Sequence, residues 1–219
     1  ILAFRGLKQQ AIDTAEAGDI VSLAGMSKAT VADTIADQSV EDPIPAQPID
    51  PPTITVTFGI NDSPLAGRDG KKVQSRVIRD RLLKECESNV AIKMVDTPGG
   101  EAFDVSGRGE LQMGVLIENM RREGFELSIS RPRVIYKDVD GVKNEPIEEV
   151  TIDVDEEFSG AVIEKLSSRK GEMVDLKSSG SGKTRIIALV PSRGLIGYHS
   201  EFMTDTRGTG ILNRVFHSW

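Results

Sequence analysis

Thr53-Ile54-Thr55-Val56-Thr57-Phe58, with the run Lys71 to Glu87 behind it, is the stretch whose reading decides the fold. The six residues alternate polar and apolar, the period-two pattern of a strand with one buried face. In Lys71 to Glu87, Val73, Val77, Ile78, Leu82 and Cys86 recur at helical spacing with basic residues between them. Val90-Ala91-Ile92-Lys93-Met94-Val95 is a second strand, Thr97-Pro98-Gly99-Gly100 a turn, and Ala102-Phe103-Asp104-Val105 a third strand. Gly109 to Glu123 is a second helix, with Leu111, Val115, Leu116 and Met120 expected inward and Gly124 placed to end it. Phe125-Glu126-Leu127-Ser128-Ile129 closes the unit as a strand. The order is β-α-β-β-α-β, the split βαβ or ferredoxin-like unit.

Downstream the same order returns. Val150 to Val154 is a strand and Ser159 to Lys170 a helix carrying Val162, Ile163 and Leu166. Glu172 to Leu176 and Thr184 to Val190 form a hairpin around Ser178-Ser179-Gly180-Ser181-Gly182-Lys183. A helix near Leu195 to Met203 and a strand from Ile211 to Phe216 complete the copy. Two proline-marked seams frame these units. Glu41 to Pro52 holds five prolines and no helical or strand period, an extended linker. Lys137 to Pro146 contains Asp140-Gly141, a hairpin-turn pair. Before the first seam, Asp19 to Ala24 and Thr30 to Ile35 read as short strands, with at most a helical turn near Ala15. The expected fold is α+β. Two tandem ferredoxin-like sandwiches, 53–134 and 147–219, stand behind an incomplete β-barrel segment, 1–46, with linkers at 47–52 and 135–146.

Composition excludes several functions. No run of 18 apolar residues exists among the 219, so no membrane-spanning helix is expected. The start has no initiator Met and no signal-peptide pattern, and reads as a chain cut from something longer. One cysteine excludes a disulfide framework and, with two histidines, a His/Cys metal cluster. The compartment is expected to be reducing. The net charge of −7 is unevenly spread: residues 146–157 carry −6 and residues 158–219 carry +4. An acidic chain can still meet a phosphate backbone if its basic residues share a face.

Three stretches imitate nucleotide sites. Gly182-Lys183-Thr184 resembles the end of a phosphate loop, yet Lys177 stands where the first glycine belongs and a strand follows instead of a helix. Asp96-Thr97-Pro98-Gly99 matches a GTPase switch motif with no phosphate loop before it, so it is a β-turn. Gly107-Arg108-Gly109 lacks the third glycine of a dinucleotide fingerprint, since Gln112 stands there. Ser106-Gly107-Arg108-Gly109-Glu110 fits either close approach of a partner to the backbone or a tight turn capped by Ser106. No catalytic, cofactor or metal constellation is present in the sequence. Asp155-Glu156-Glu157 favours a helix dipole, and Cys86 falls on an apolar helix face.

Gly107-Arg108-Gly109-Glu110-Leu111, Glu118-Asn119-Met120-Arg121-Arg122-Glu123-Gly124-Phe125-Glu126-Leu127 and Arg131-Pro132-Arg133-Val134 closely resemble the third domain of the BipA/TypA family of translational GTPases. Glu145-Pro146, Arg169-Lys170-Gly171, Pro191 to Gly197 and Glu201-Phe202-Met203-Thr204 resemble its fifth domain. Gly6-Leu7-Lys8-Gln9-Gln10 and Gly18-Asp19-Ile20 resemble the end of its second, β-barrel domain. In elongation factor G a further domain separates the two ferredoxin-like units, whereas here only Val134 to Pro146 does. The resemblance implies the ribosome-binding part of such a factor, cytoplasmic and linked to ribosome assembly and to stress or cold adaptation. Its implied partners are rRNA, ribosomal proteins, and the parent's own GTPase and C-terminal domains. GTP and Mg²⁺ would belong to the parent, and a monomer is the default state. The candidate rRNA contacts are Arg169, Lys170, Arg193 and Arg207, with the first three expected at one sheet edge and Arg207 at the same edge or just around it. The candidate interdomain or small-subunit contacts are Arg108, Glu110, Arg121 and Arg122. The alternatives are a LepA-like factor and a stand-alone tandem module that binds RNA or protein.

Overall fold

The computed structural model describes every residue except Ser27, Lys28, Thr30, Ala32, Gln47, Pro48, Ser179 and Ser181. It divides into two compact units, Ile1–Pro48 and Ile49–Trp219, parted within the expected linker. The first unit is a three-stranded antiparallel sheet of β1 (Leu2–Arg5), β2 (Lys8–Ala11) and β3 (Val21–Ser22), with β1 in the middle. The hairpin β1–β2 escapes a periodicity search because Lys8, Gln9 and Gln10 are all exposed. The strand expected over Asp19 to Ala24 shortens to Val21–Ser22. That expected over Thr30 to Ile35 falls partly outside the described residues, and Asp33 to Ile35 form no strand. Near Ala15 there is no helical turn; Glu16 and Asp19 close a local loop through Glu16 N–H and the Asp19 carboxylate at 2.9 Å.

In the second unit β4 (Ile54–Ile60), α1 (Ser75–Ser88), β5 (Lys93–Asp96), β6 (Ala102–Gly107), α2 (Glu110–Arg122) and β7 (Leu127–Ile129) build the first sandwich. Its sheet runs β5-β6-β4-β7, with β8 (Arg133–Val134) pairing further along β4. Ile54, Val56 and Phe58 turn one face of β4 onto Ile78, Leu82, Met113, Leu116 and Met120 of the helices. The first turn expected of α1 is absent, because Lys72 bridges Phe125 instead. The phase expected for α2 is corrected. Met113, Leu116 and Met120 point inward, while Leu111 is 78% and Val115 52% exposed. Six apolar positions are too many for one stripe, and packing on the sheet selects the 113/116/120 row. Gly124 ends the helix as expected, with Phe125 N–H on the Met120 carbonyl and Gly124 N–H on that of Arg121.

The second seam is a hairpin, β9 (Lys137–Val139) and β10 (Val142–Asn144), turning on Asp140 and Gly141 at φ 53° and 80°. Then β11 (Ile147–Asp155), α3 (Glu156–Ser168), β12 (Glu172–Ser178), β13 (Lys183–Pro191), α4 (Ser192–Leu195), α5 (Tyr198–Asp205) and β14 (Ile211–Ser218) form the second sandwich. Its sheet order, β12-β13-β11-β14, repeats that of the first. Both are α+β ferredoxin-like sandwiches. The helix expected over Leu195 to Met203 is broken at Ile196 and Gly197, the latter at φ 72°. The break has a use: Ile196 packs against the core of the first sandwich.

Candidate nucleic-acid interface

Arg169 caps α3, and its guanidinium is largely committed inside the fold. It donates to the Gly194 carbonyl at 2.8 Å, pairs with Glu201 at 3.1 Å and lies 5.0 Å from the Tyr198 ring centre. A Cβ on Gly194 would stand 2.5 Å from the Arg169 carbonyl oxygen, so the Ser192–Gly194 turn packs directly on the end of α3. Lys170 is exposed beside it at φ 68°. Arg193 pairs with Glu145 at 2.6 Å, which holds its pKa above the usual arginine value, and is still 48% exposed. Arg169, Lys170 and Arg193 therefore share one edge. Arg207 does not. It lies over Phe158, 5.5 Å from the ring centre, while Thr209 bonds Asp155 at 2.9 Å. Both contacts sit at the start of α3, about 16 Å along the axis from Arg169. Helix α5 lies antiparallel to α3, pairing Lys165 with Glu201 and Asp205, and so carries Arg207 to the opposite end.

The second group separates by role. Glu110 accepts the Gly197 N–H through both carboxylate oxygens, at 3.2 and 3.0 Å, joining α2 of the first sandwich to the start of α5 in the second. A carboxylate there also complements the helix dipole. Arg121 and Arg122 both pair with Glu118 on their own helix at 2.8 Å and are mostly exposed. The paired arginines hold the Glu118 carboxyl down at about 2. Arg108 is exposed; its N–H donates to the Gln112 side chain at 2.9 Å and its carbonyl accepts from Thr53 at 3.1 Å. Ser106 does not cap α2. Gly109 is the N-cap, and the Ser106 hydroxyl faces Thr55 at 2.8 Å.

Gly109 does admit a close partner, and that partner is internal: a Cβ there would collide with the Arg214 guanidinium of the second sandwich. Arg214 also faces Glu148 at 3.6 Å. Burial pushes the Glu148 carboxyl up, against the opposing pull of the Ser192 hydroxyl and Arg214. Sequence reasoning passed over Glu148 and Arg214. The signal was there for Glu148, since alternation along Glu148, Val150, Ile152 and Val154 puts it on the buried face. Together with Asp50, Thr53, Arg108 and Phe216 these residues line a cleft of about 310 Å³ between the sandwiches. The nucleotide-site imitations stay turns and strands. Asp96 pairs with Arg79 at 2.9 Å, Gly100 N–H closes a turn onto Thr97, and Lys183 opens β13.

Tandem ferredoxin-like sandwiches are a fold that many unrelated functions share, and it is sequence similarity to translation factors that places this chain. Residues 142–219 match the family model for the elongation factor G C-terminus. Along its whole length the chain is 50% identical to the large ribosomal subunit assembly factor BipA of Bacillus subtilis (strain 168), covering 100% of the chain and 36% of that protein. It is 50% identical over 216 residues to BipA of Haemophilus influenzae, and 49% over 216 residues to BipA of Escherichia coli (strain K12). In each case 99% of the chain is covered, against 35% and 36% of the relative. Over these residues the chain belongs to the BipA/TypA family, and it spans about a third of the length of the relatives it matches.

Proposed function

We propose that the chain is the ribosome-docking portion of a BipA/TypA-type translational GTPase acting in assembly of the large ribosomal subunit, within the cytoplasm and under stress or cold. The observation that carries this reading is the unbroken match to assembly factors over the whole chain. GTP and Mg²⁺ would be handled outside these residues, since the stretches that imitate a phosphate loop are strand and turn here. The docking edge is Lys170 and Arg193, the exposed cations beside Gly171 and Gly194, with Arg169 holding the edge in shape through Gly194 and Glu201. A planar guanidinium suits phosphate because it donates two hydrogen bonds at once. Arg207, at the other end of α3, has no part in that edge.

Co-sedimentation of the chain with purified large ribosomal subunits over a salt series tests the reading. K170A/R193A should weaken binding and flatten the slope of log affinity against log salt by about 1.4 to 1.8, at roughly 0.7–0.9 per phosphate contact. Arg207→Ala should leave the slope unchanged. Saturable binding of GTP by this chain, or a K170A/R193A slope equal to the parent's, would count against it.

A further inference from the structure

The face of the first sheet that turns away from α1 and α2 is built differently from its counterpart in the second sandwich. In register across its strands lie Lys93, Ser106, Thr55 and Arg133, one residue from each of β5, β6, β4 and β8. At three inter-strand spacings the row is about 14 Å long. It carries a cation at each end and hydroxyls between, Thr55 and Ser106 bonding each other at 2.8 Å. The next row holds the exposed Val95 with Asp104 and Thr57; Arg133 donates to both Asp104 and Thr57 at 3.1 Å, so the one carboxylate is neutralised. Gly59, Ala102 and Ser128 keep the remainder of the face low. Beside Arg133 the face opens into a groove of about 590 Å³, lined by Thr55, Asp104, Arg133, Ile135 and Tyr136. Tyr136 is 57% exposed. The corresponding face of the second sheet sets Glu172, Leu189, Glu149 and Val215 in one row, Asp175, Ile187, Thr151 and Asn213 in the next, and Lys177, Arg185, Asp153 and Ile211 in a third, where Arg185 is paired with Asp153.

We propose that the open face of the first sheet, Lys93–Ser106–Thr55–Arg133, docks the sugar–phosphate backbone of an RNA strand and that Tyr136 stacks one of its unpaired bases. Charge complementarity selects the occupant. Cations at the two ends of a flat row match phosphates about two nucleotides apart, and small hydroxyls between them match 2′-hydroxyl and phosphate oxygens. An exposed phenol at the border offers a π-face to any base. The second sheet carries Glu172, Glu149, Asp175 and Asp153 on the equivalent face against Lys177 and Arg185, so the assignment rests on side chains and not on the shared fold. It extends the RNA surface beyond the Lys170–Arg193 edge and shares with that reading only the class of partner.

The test uses the full 219-residue chain and a fluorescein-labelled oligouridylate of about 12 nucleotides, within the usual site sizes for single-strand binders. Anisotropy is followed over a salt series. K93A/R133A should flatten the salt slope by about 1.4, two phosphates at roughly 0.7 each on a single strand. Tyr136→Ala should weaken binding roughly 5- to 150-fold, with Tyr136→Phe close to the parent chain. Because removing Arg133 exposes Asp104, Lys93→Glu alone is the second variant: it should keep the parent's melting temperature and still lose affinity. Absence of saturable binding, or parental affinity and slope in K93A/R133A and K93E, would overturn the proposal. Parental values in those variants with loss in K170A/R193A would overturn it while leaving the docking edge intact.

Discussion

Glu126 shows how one side chain can organise a loop. Its carboxylate accepts from Gly67, Asp69 and Gly70 N–H at 2.7 Å and from the Asn61 amide at 3.0 Å, clasping residues 61–70 against the end of α2. The Gly70 and Gly67 amides lead in holding its pKa down to about 2. A carboxyl whose folded pKa lies below its unfolded value stabilises the fold above the unfolded pKa and loses that contribution as pH falls. Glu126→Gln should therefore lower the melting temperature at neutral pH and make its decline from about pH 5 to pH 2 shallower than the parent's. An unchanged decline on acid titration would mean that the loop holds itself. Glu110 offers a second residue-scale test. Glu110→Ala should cost about 1 kcal/mol in urea unfolding, the scale of a charge-assisted hydrogen bond at a partly solvated helix start. Glu110→Gln should recover part of it.

At the scale of the element, α2 and the stop that follows it hold two glycines with opposite requirements. Gly124 lies at φ 88°, where a Cβ is strained whatever space surrounds it. Gly124→Ala should destabilise by about 1–2 kcal/mol. Gly114 is mid-helix, with nothing within 4 Å of an added Cβ. Gly114→Ala should stabilise by roughly 0.5–1 kcal/mol. Thermal unfolding of the pair gives the two signs directly. Legibility also differed among elements. Alternation in Thr53 to Phe58 and the Gly124 stop were readable because burial and φ leave a mark on residue type. The β1–β2 hairpin was not, since exposed strands held by backbone hydrogen bonds impose no apolar period.

Across the whole molecule, apolar burial is concentrated beyond Ile49. Both core clusters lie there, whereas among the described residues before Pro48 only Ala3 is a buried hydrophobic. Phe4, Leu7 and Ile20 are exposed by 63%, 100% and 94%. Amides of Leu2–Arg5 should exchange faster than those of Ile54–Ile60 or Lys183–Pro191, because opening that sheet exposes little that was buried. Equal protection in all three segments would show that the first unit is covered in solution by something further.

The sequence by itself determined the order of the two βαββαβ runs, the Gly124 helix stop and the family, since each depends on local period, turn chemistry or matching motifs. Tertiary structure decided which apolar residues of α2 face inward, that Ile196 and Gly197 break a helix to reach the first sandwich, and that Glu110 and Arg214 span the junction. It also decided which cations share a surface. Arg193 and Lys170 meet because a turn packs on a helix end, while Arg207 is carried away by the antiparallel course of α5. Lys93 and Arg133 are 40 positions apart in the chain, and they align only because three strand pairings set their register. Register between distant strands is fixed by long-range packing, which no local pattern records.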